Sequence, residues 1–115
     1  MEPLKIRPIV RPLDIHEDTC VRACMIMEQK AADYASAEDP YRNFRQIEAL
    51  DLGTVEQGLV VRMGDKLSRL ATFVKTQNEY SVKDESFEDT IVDLINYSII
   101  LLAAYQSRDL QDKES

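Results

Sequence analysis

At 115 residues, with 44% hydrophobic and 30% charged side chains, the chain has room for one domain and the composition of a globular protein, which excludes two independent cores and disorder along most of its length. Its 14 Lys+Arg against 21 Asp+Glu leave a net charge of -7, a balance that disfavours a non-specific grip on duplex nucleic acid or an anionic membrane surface. With 3 Gly, 4 Pro, no Trp and few alternating β-branched runs, the composition points to an all-α fold.

Residues 1–13 hold Pro3, Pro8 and Pro12 and read as an extended arm that orders only against the body or a partner. Asp14 followed by Glu17 has the form of an N-cap and capping box, opening a helix to about Ala35. Ser36 to Pro40 reads as a loop with a proline stop, and Tyr41 to Leu50 as a short helix that ends before Asp51-Leu52-Gly53. Thr54 with Gln57 repeats the capping pattern and opens a helix to about Lys75, along which Leu59, Met63, Leu67, Leu70 and Val74 form one apolar face expected to enter the core. Thr76 to Lys83 is polar and aperiodic, a loop. Ser86 with Asp89 gives a third capping signal, for a helix to about Arg108, after which a charged tail at 109–115 is expected to fray. A single domain over residues 14–108 follows.

The Ser86 helix is apolar nearly all round, through Ile91, Val92, Leu94, Ile95, Ile99, Ile100, Leu101 and Leu102, and such a helix is expected to be covered on every side. In a short chain the economical cover is a second copy, so a homo-oligomer, dimer or tetramer, is expected with this helix at its centre. Asp93 and Asn96 interrupt the run, which falls short of the roughly 20 apolar residues a membrane span needs. Two cysteines and an N-terminus without a charged-then-apolar leader pattern read as cytoplasmic.

Glu85, Asp89, Asp93 and Asn96 recur at spacings of four, four and three, which aligns them in one acidic stripe on that helix. Like charges four apart repel, so a compensating cation is expected, either Lys/Arg from a neighbouring helix or a divalent metal. The Thr54 helix offers Arg62, Asp65, Lys66 and Arg69 on one face, where Asp65 can add a carboxylate and the basic residues can neutralise carboxylates or grip phosphate. A structural salt-bridge network and a Mg²⁺ site bridging to a phosphorylated ligand therefore both remain open; hard carboxylate donors without His or Cys select Mg²⁺, Mn²⁺ or Ca²⁺ over zinc. His16, Cys20 and Cys24 stand four apart on the first helix, where ordinary packing of cysteines in the core is expected over a metal site. Among Tyr34, Tyr41, Phe44, Tyr97 and Tyr105, Tyr34 and Phe44 lie near loops and are the better candidates to stack on a base, against the alternative of core packing. No Ser-His-Asp or Cys-His arrangement, nucleophile elbow or Gly-rich phosphate loop is present.

The blocks Arg62-Met63-Gly64-Asp65-Lys66-Leu67-Ser68-Arg69-Leu70 and Lys83 to Tyr97, with Lys30, Asp33-Tyr34 and Asn43-Phe44 upstream, resemble the nucleotide modification associated domain family, frequent in phage genomes and similar to the MazG-like all-α nucleoside triphosphate pyrophosphohydrolases. The resemblance spans most of residues 28–105 and implies a helical bundle completed by homo-oligomerisation, Mg²⁺ on paired acidic residues, and cleavage between the α and β phosphates of a nucleotide. It implies catalytic Glu85, Asp89 and Asp93; metal binding by Asp65, Glu85, Glu88, Asp89 and Asp93; and substrate contacts from Lys30, Tyr34, Asn43, Phe44, Arg62, Lys66, Arg69 and Asn96. The sequence departs from the superfamily pattern in two places: Thr90 stands three before Asp93 where an acidic residue is the rule, and Asp65 lies among basic residues where paired glutamates are usual. Two functions of different class stay open: a Mg²⁺-dependent hydrolase of a nucleoside triphosphate or modified deoxynucleotide, and a non-catalytic phage protein of the host cytoplasm that sequesters a nucleotide or nucleotide-derived immune signal.

Overall fold

The computed structural model describes residues 8–33, 42–76 and 86–114. They form four helices: α1 (Pro12–Asp33), α2 (Arg42–Ala49), α3 (Val55–Thr76) and α4 (Phe87–Glu114). The described residues contain no strand, so the fold is all-α as composition predicts.

Local chemistry sets the helix ends. At α3, Gln57 N–H donates to Thr54 Oγ1 at 3.1 Å and Thr54 N–H to Gln57 Oε1 at 2.8 Å, the reciprocal capping box the sequence predicts. At α4 the same exchange joins Ser86 and Asp89, with N–H donations at 3.0 and 3.3 Å. The first helix starts two residues earlier than its acidic signal suggests. Pro12 takes the first helical position, where its missing N–H costs nothing, and Asp14 reaches back to accept from Arg11 N–H at 3.2 Å. Asp14 therefore lies inside the first turn instead of capping it. At the end of α2, Asp51 adopts a left-handed φ of 56°. Leu52 N–H then bonds Ile47 O at 2.9 Å and Asp51 N–H bonds Glu48 O at 3.0 Å, closing the helix in a Schellman motif.

Helices α3 and α4 form an antiparallel hairpin. Near one end Val55 and Leu59 pack with Ala104, flanked by Phe44, Tyr97, Ile100 and Leu101; at the other, Phe73 meets Phe87 edge-to-face with ring centroids 5.9 Å apart. Between these ends lies Val92, fully buried like Leu59 and Thr90. The Thr90 hydroxyl donates to Ser86 O at 3.0 Å, which satisfies the one buried polar side chain among the described residues. Helix α2 lies across α3 at Gly58, where an added Cβ would meet Ile47 Cδ1 at 2.7 Å and Phe44 Cδ1 at 3.3 Å. Glycine is what lets α2 approach so closely.

Helix α1 packs on α4 alone among the described elements. It meets α4 through the stripe Thr19, Ala23, Ile26, Met27 and Lys30, of which only Ala23 is fully buried.

Three expectations are corrected here. Cys20 and Cys24 are exposed, because the α1 face that meets α4 runs through Ala23 and leaves them on another side. Leu67 and Val74 are 55% and 69% exposed, because the seam of α3 that faces α4 runs Val55, Leu59, Met63, Lys66, Leu70, Phe73, one residue and about 100° away from them. The expected cover of α4 by a second copy stays open: Ile99 and Leu102 are half-exposed in the single chain, where α1 and α3 cover the other faces. The end of α4 stays helical to Glu114 instead of fraying after Leu110, supported by the Lys113–Asp109 pair at 3.2 Å across one turn.

Candidate functional site

The predicted acidic stripe on α4 is where α1 docks, and its described members, Asp89, Asp93 and Asn96, meet cations or backbone from the neighbouring helices. Asp89 accepts a hydrogen bond from the Arg22 guanidinium of α1, and Glu88 lies 3.5 Å from the same group. One turn on, Asp93 Oδ2 is 2.9 Å from Lys66 Nζ of α3 and its Oδ1 is 4.0 Å from Lys30 Nζ of α1. The next stripe residue, Asn96, donates from Nδ2 to Ala23 O of α1 at 3.0 Å. Asp93 thus joins all three long helices. Its pair with Lys66 is the most enclosed of the ion pairs here, with side-chain exposures of 25% and 14%.

Of the residues that sequence reasoning brings forward, Lys30, Lys66, Glu88, Asp89, Asp93 and Asn96 therefore converge on the junction of α1, α3 and α4. Arg62, Asp65 and Arg69 are exposed on α3; Arg62 and Arg69, four before and three after Lys66, flank the seam that carries it. Phe44 is half-buried against the Val55–Leu59–Ala104 cluster and beside Gly58, the core-packing alternative for that ring. Tyr34 and Glu85 lie outside the described residues, as does the side chain of Asn43.

The carboxylates meet the needs of a salt-bridge network directly. Asp89 spends its oxygens on Arg22 and on the Ser86 N–H, and Asp93 spends its two on Lys66 and Lys30. As placed, Asp89 and Asp93 turn their oxygens to cations from the neighbouring helices, and a Mg²⁺ ion, which takes one or two carboxylates with waters and phosphates completing its shell, would have to displace those partners. Among the described residues no group of three His, Cys, Asp or Glu side chains is placed to hold a metal ion.

Arg22 and Ala23 were not anticipated. Neither carries a local signal, since the partner of Arg22 lies 67 residues away and Ala23 acts by being small. A second network was also missed. Arg108 of α4 donates from Nε to both oxygens of Glu56 at 3.1 Å and from Nη2 to Glu48 Oε1 at 2.9 Å. Glu48 in turn accepts from Val55 N–H at 2.9 Å, capping the start of α3 and tying three helices together.

The two networks carry a pH dependence. The Ser86 hydroxyl and N–H, followed by Arg22, hold Asp89 below its ordinary value of 3.8. The Val55 N–H, followed by Arg108, holds Glu48 below 4.5; Arg108 is raised, chiefly by its hydrogen bonds to Glu56. A carboxyl lowered in the folded state leaves the unfolded chain binding more protons, so its contribution is present above the unfolded value and disappears as pH falls through the folded one. Urea unfolding from pH 7 to pH 3 should show stability holding to about pH 5 and falling below the ordinary values 4.5 and 3.8. Asp89→Asn and Glu48→Gln should each be less stable at pH 7 and lose less on acidification. Equal acid sensitivity in wild type and both variants would show that these carboxyls do not govern it.

No family model, curated protein or solved structure matches the chain.

Proposed function

We propose that this chain is a MazG-like nucleotide-binding protein that works as a homo-oligomer and takes the phosphates of its ligand at the α1–α3–α4 junction. The observation that carries the reading is Asp93, held between Lys66 and Lys30 from two different helices. Two lysines brought to one carboxylate can exchange it for a phosphate oxygen, with Arg22 one turn away to take another. The net charge of -7 argues that such a ligand is met as a small molecule at one local cluster of cations, not as a polymer along a basic face. The resemblance in the Arg62–Leu70 and Lys83–Tyr97 blocks supports the nucleotide over other phosphates.

Binding without cleavage is the form of this function that the geometry favours. The carboxylates that hydrolysis would need are engaged by Arg22, Lys66 and Lys30, so a sequestering protein uses the junction with fewer exchanges than a Mg²⁺-dependent pyrophosphohydrolase would. Homo-oligomerisation is supported by the half-exposed apolar residues Ile99, Leu102, Val60, Leu67 and Val74, which the chain alone leaves open.

The test is a panel of nucleoside mono-, di- and triphosphates, canonical and modified, incubated with the protein with and without Mg²⁺ or Mn²⁺ and read by mass spectrometry. Recovery of an intact nucleotide bound to the protein, with affinity lost in Lys66→Ala, supports sequestration. Metal-dependent appearance of a nucleoside monophosphate and pyrophosphate supports the hydrolase. If no nucleotide binds under any condition, the junction is a structural salt-bridge network and the proposal fails.

A further inference from the structure

Beside the buried seam of α3 runs a second one that nothing among the described residues covers. Val60, Gly64, Leu67, Ala71 and Val74 recur at spacings of four, three, four and three, the 3.5-residue period of a coiled-coil seam. All five are exposed: Val60 at 55%, Leu67 at 55% and Val74 at 69%, with Gly64 facing open space where a Cβ would project. Val61, at 67% exposure, widens the stripe.

The residues along this seam also say what covers it. If two α3 helices run antiparallel about a two-fold axis between Asp65 and Lys66, Val60 falls opposite Ala71 of the second copy and Leu67 opposite Gly64 of the second copy. The symmetry repeats both layers, so Val60 and Leu67 each meet a small side chain, while Val74 falls opposite Gln57 at the edge of the pairing. A parallel arrangement would place Gly64 on Gly64 and Leu67 on Leu67, alternating gaps with collisions along one line. Close packing rejects that pattern, because voids and overlaps both cost stability. The glycine has a role in the antiparallel register: its missing side chain admits the Leu67 knob and brings the two axes close.

We propose that α3 pairs with α3 of a second copy in this antiparallel register, burying the Val60–Gly64–Leu67–Ala71–Val74 seam as an isologous interface. The inference rests on the homo-oligomer reading above and assigns it a surface, a direction and a register. It places the Lys66–Asp93 junction beside the interface without using its residues, since Lys66 faces α4.

Light scattering and cysteine cross-linking test it in a Cys20→Ser/Cys24→Ser background, which removes the exposed native thiols. Wild type should have at least a dimer mass at micromolar concentration, and Leu67→Glu should shift it to a smaller assembly while circular dichroism stays helical. The double variant Val60→Cys/Ala71→Cys should form a disulfide-linked dimer under mild oxidation. Neither single variant should, because equivalent positions lie about 16 Å apart along the antiparallel pair. A monomeric wild type would overturn the oligomer reading and this interface together. An oligomeric wild type unaffected by Leu67→Glu would leave that reading standing and refute the seam. Should Leu67→Glu fail to fold, the cross-linking decides: efficient dimers from either single variant would refute the register, as would none from the double.

Discussion

Replacing Lys66 by methionine should cost about 1–3 kcal/mol of stability, between the values for exposed and fully buried ion pairs. Lys66 occupies the α3 seam that packs on α4, and its amine is 2.9 Å from Asp93 Oδ2 with little solvent around it. Methionine keeps much of the volume but leaves Asp93 with only the more distant Lys30, 4.0 Å away. Asp93→Leu should be costly as well, because it removes the carboxylate 2.9 Å from the enclosed lysine. The double variant should recover much of the combined loss, because a partly buried pair replaced by matched apolar side chains gives up its attraction and its desolvation penalty together. Urea unfolding of the four proteins at one protein concentration closes the cycle. Strict additivity of the two single costs would mean that the pair contributes no coupling and that the junction is held by packing alone. If Lys66 also grips phosphate, Lys66→Met should lose nucleotide affinity per folded molecule as well, which separates the binding role from the structural one.

That lysine also shows where the sequence was legible and where it was not. Helix count and most helix ends follow from short-range chemistry, and the Thr54/Gln57 and Ser86/Asp89 boxes form as reciprocal pairs at the expected places. The phase of α3 is harder to read, because two apolar stripes lie one residue apart. One is Val60, Leu67, Val74; the other is Leu59, Met63, Leu70, Phe73, with Lys66 in its middle. A reading by hydropathy prefers Leu67 to Lys66 for the core, and only the aspartate supplied by α4 reverses the preference. Hydrophobic pattern locates the helix and tertiary charge pairing fixes its rotation.

The acidic stripe on α4 was visible from its spacing, and so was the need for a compensating cation. The identity of that cation was not, since Arg22 and Lys30 reach the stripe only because α1 crosses α4 at Ala23. A small residue at a crossing carries no chemical signature in one sequence. The same holds for Arg108, whose two glutamates come from α2 and from the first turn of α3. Their distances in sequence, 60 and 52 residues, put them beyond any local rule.

The crossing gives the prediction with the broadest structural effect. Ala23 is 2% exposed, the one buried side chain among the described residues of α1, and its carbonyl accepts from Asn96. Ala23→Leu inserts a branched side chain where α1 lies against α4, and overpacking of this kind costs typically about 1–3 kcal/mol. Helix α1 has little else to resist it, because its remaining ties are Arg22 to Asp89 and Glu88, Lys30 to Asp93 and a half-buried edge of Thr19, Ile26 and Met27. The α3–α4 hairpin keeps its own contacts at Val55, Leu59, Phe73, Phe87 and Ala104. The variant should therefore undock α1 while leaving that hairpin folded. Hydrogen exchange reads this directly, as lost protection along Pro12–Asp33 with protection near Leu59 and Ala104 retained. Ala23→Gly is the control, for it keeps the crossing open and should cost only about 0.5–1 kcal/mol through helix propensity, without selective loss in α1. If Ala23→Leu left α1 protected, or if both variants melted the whole chain in one step, α1 would not be a separable helix docked at a single point. The charge pairs of the junction would then be a consequence of one continuous core.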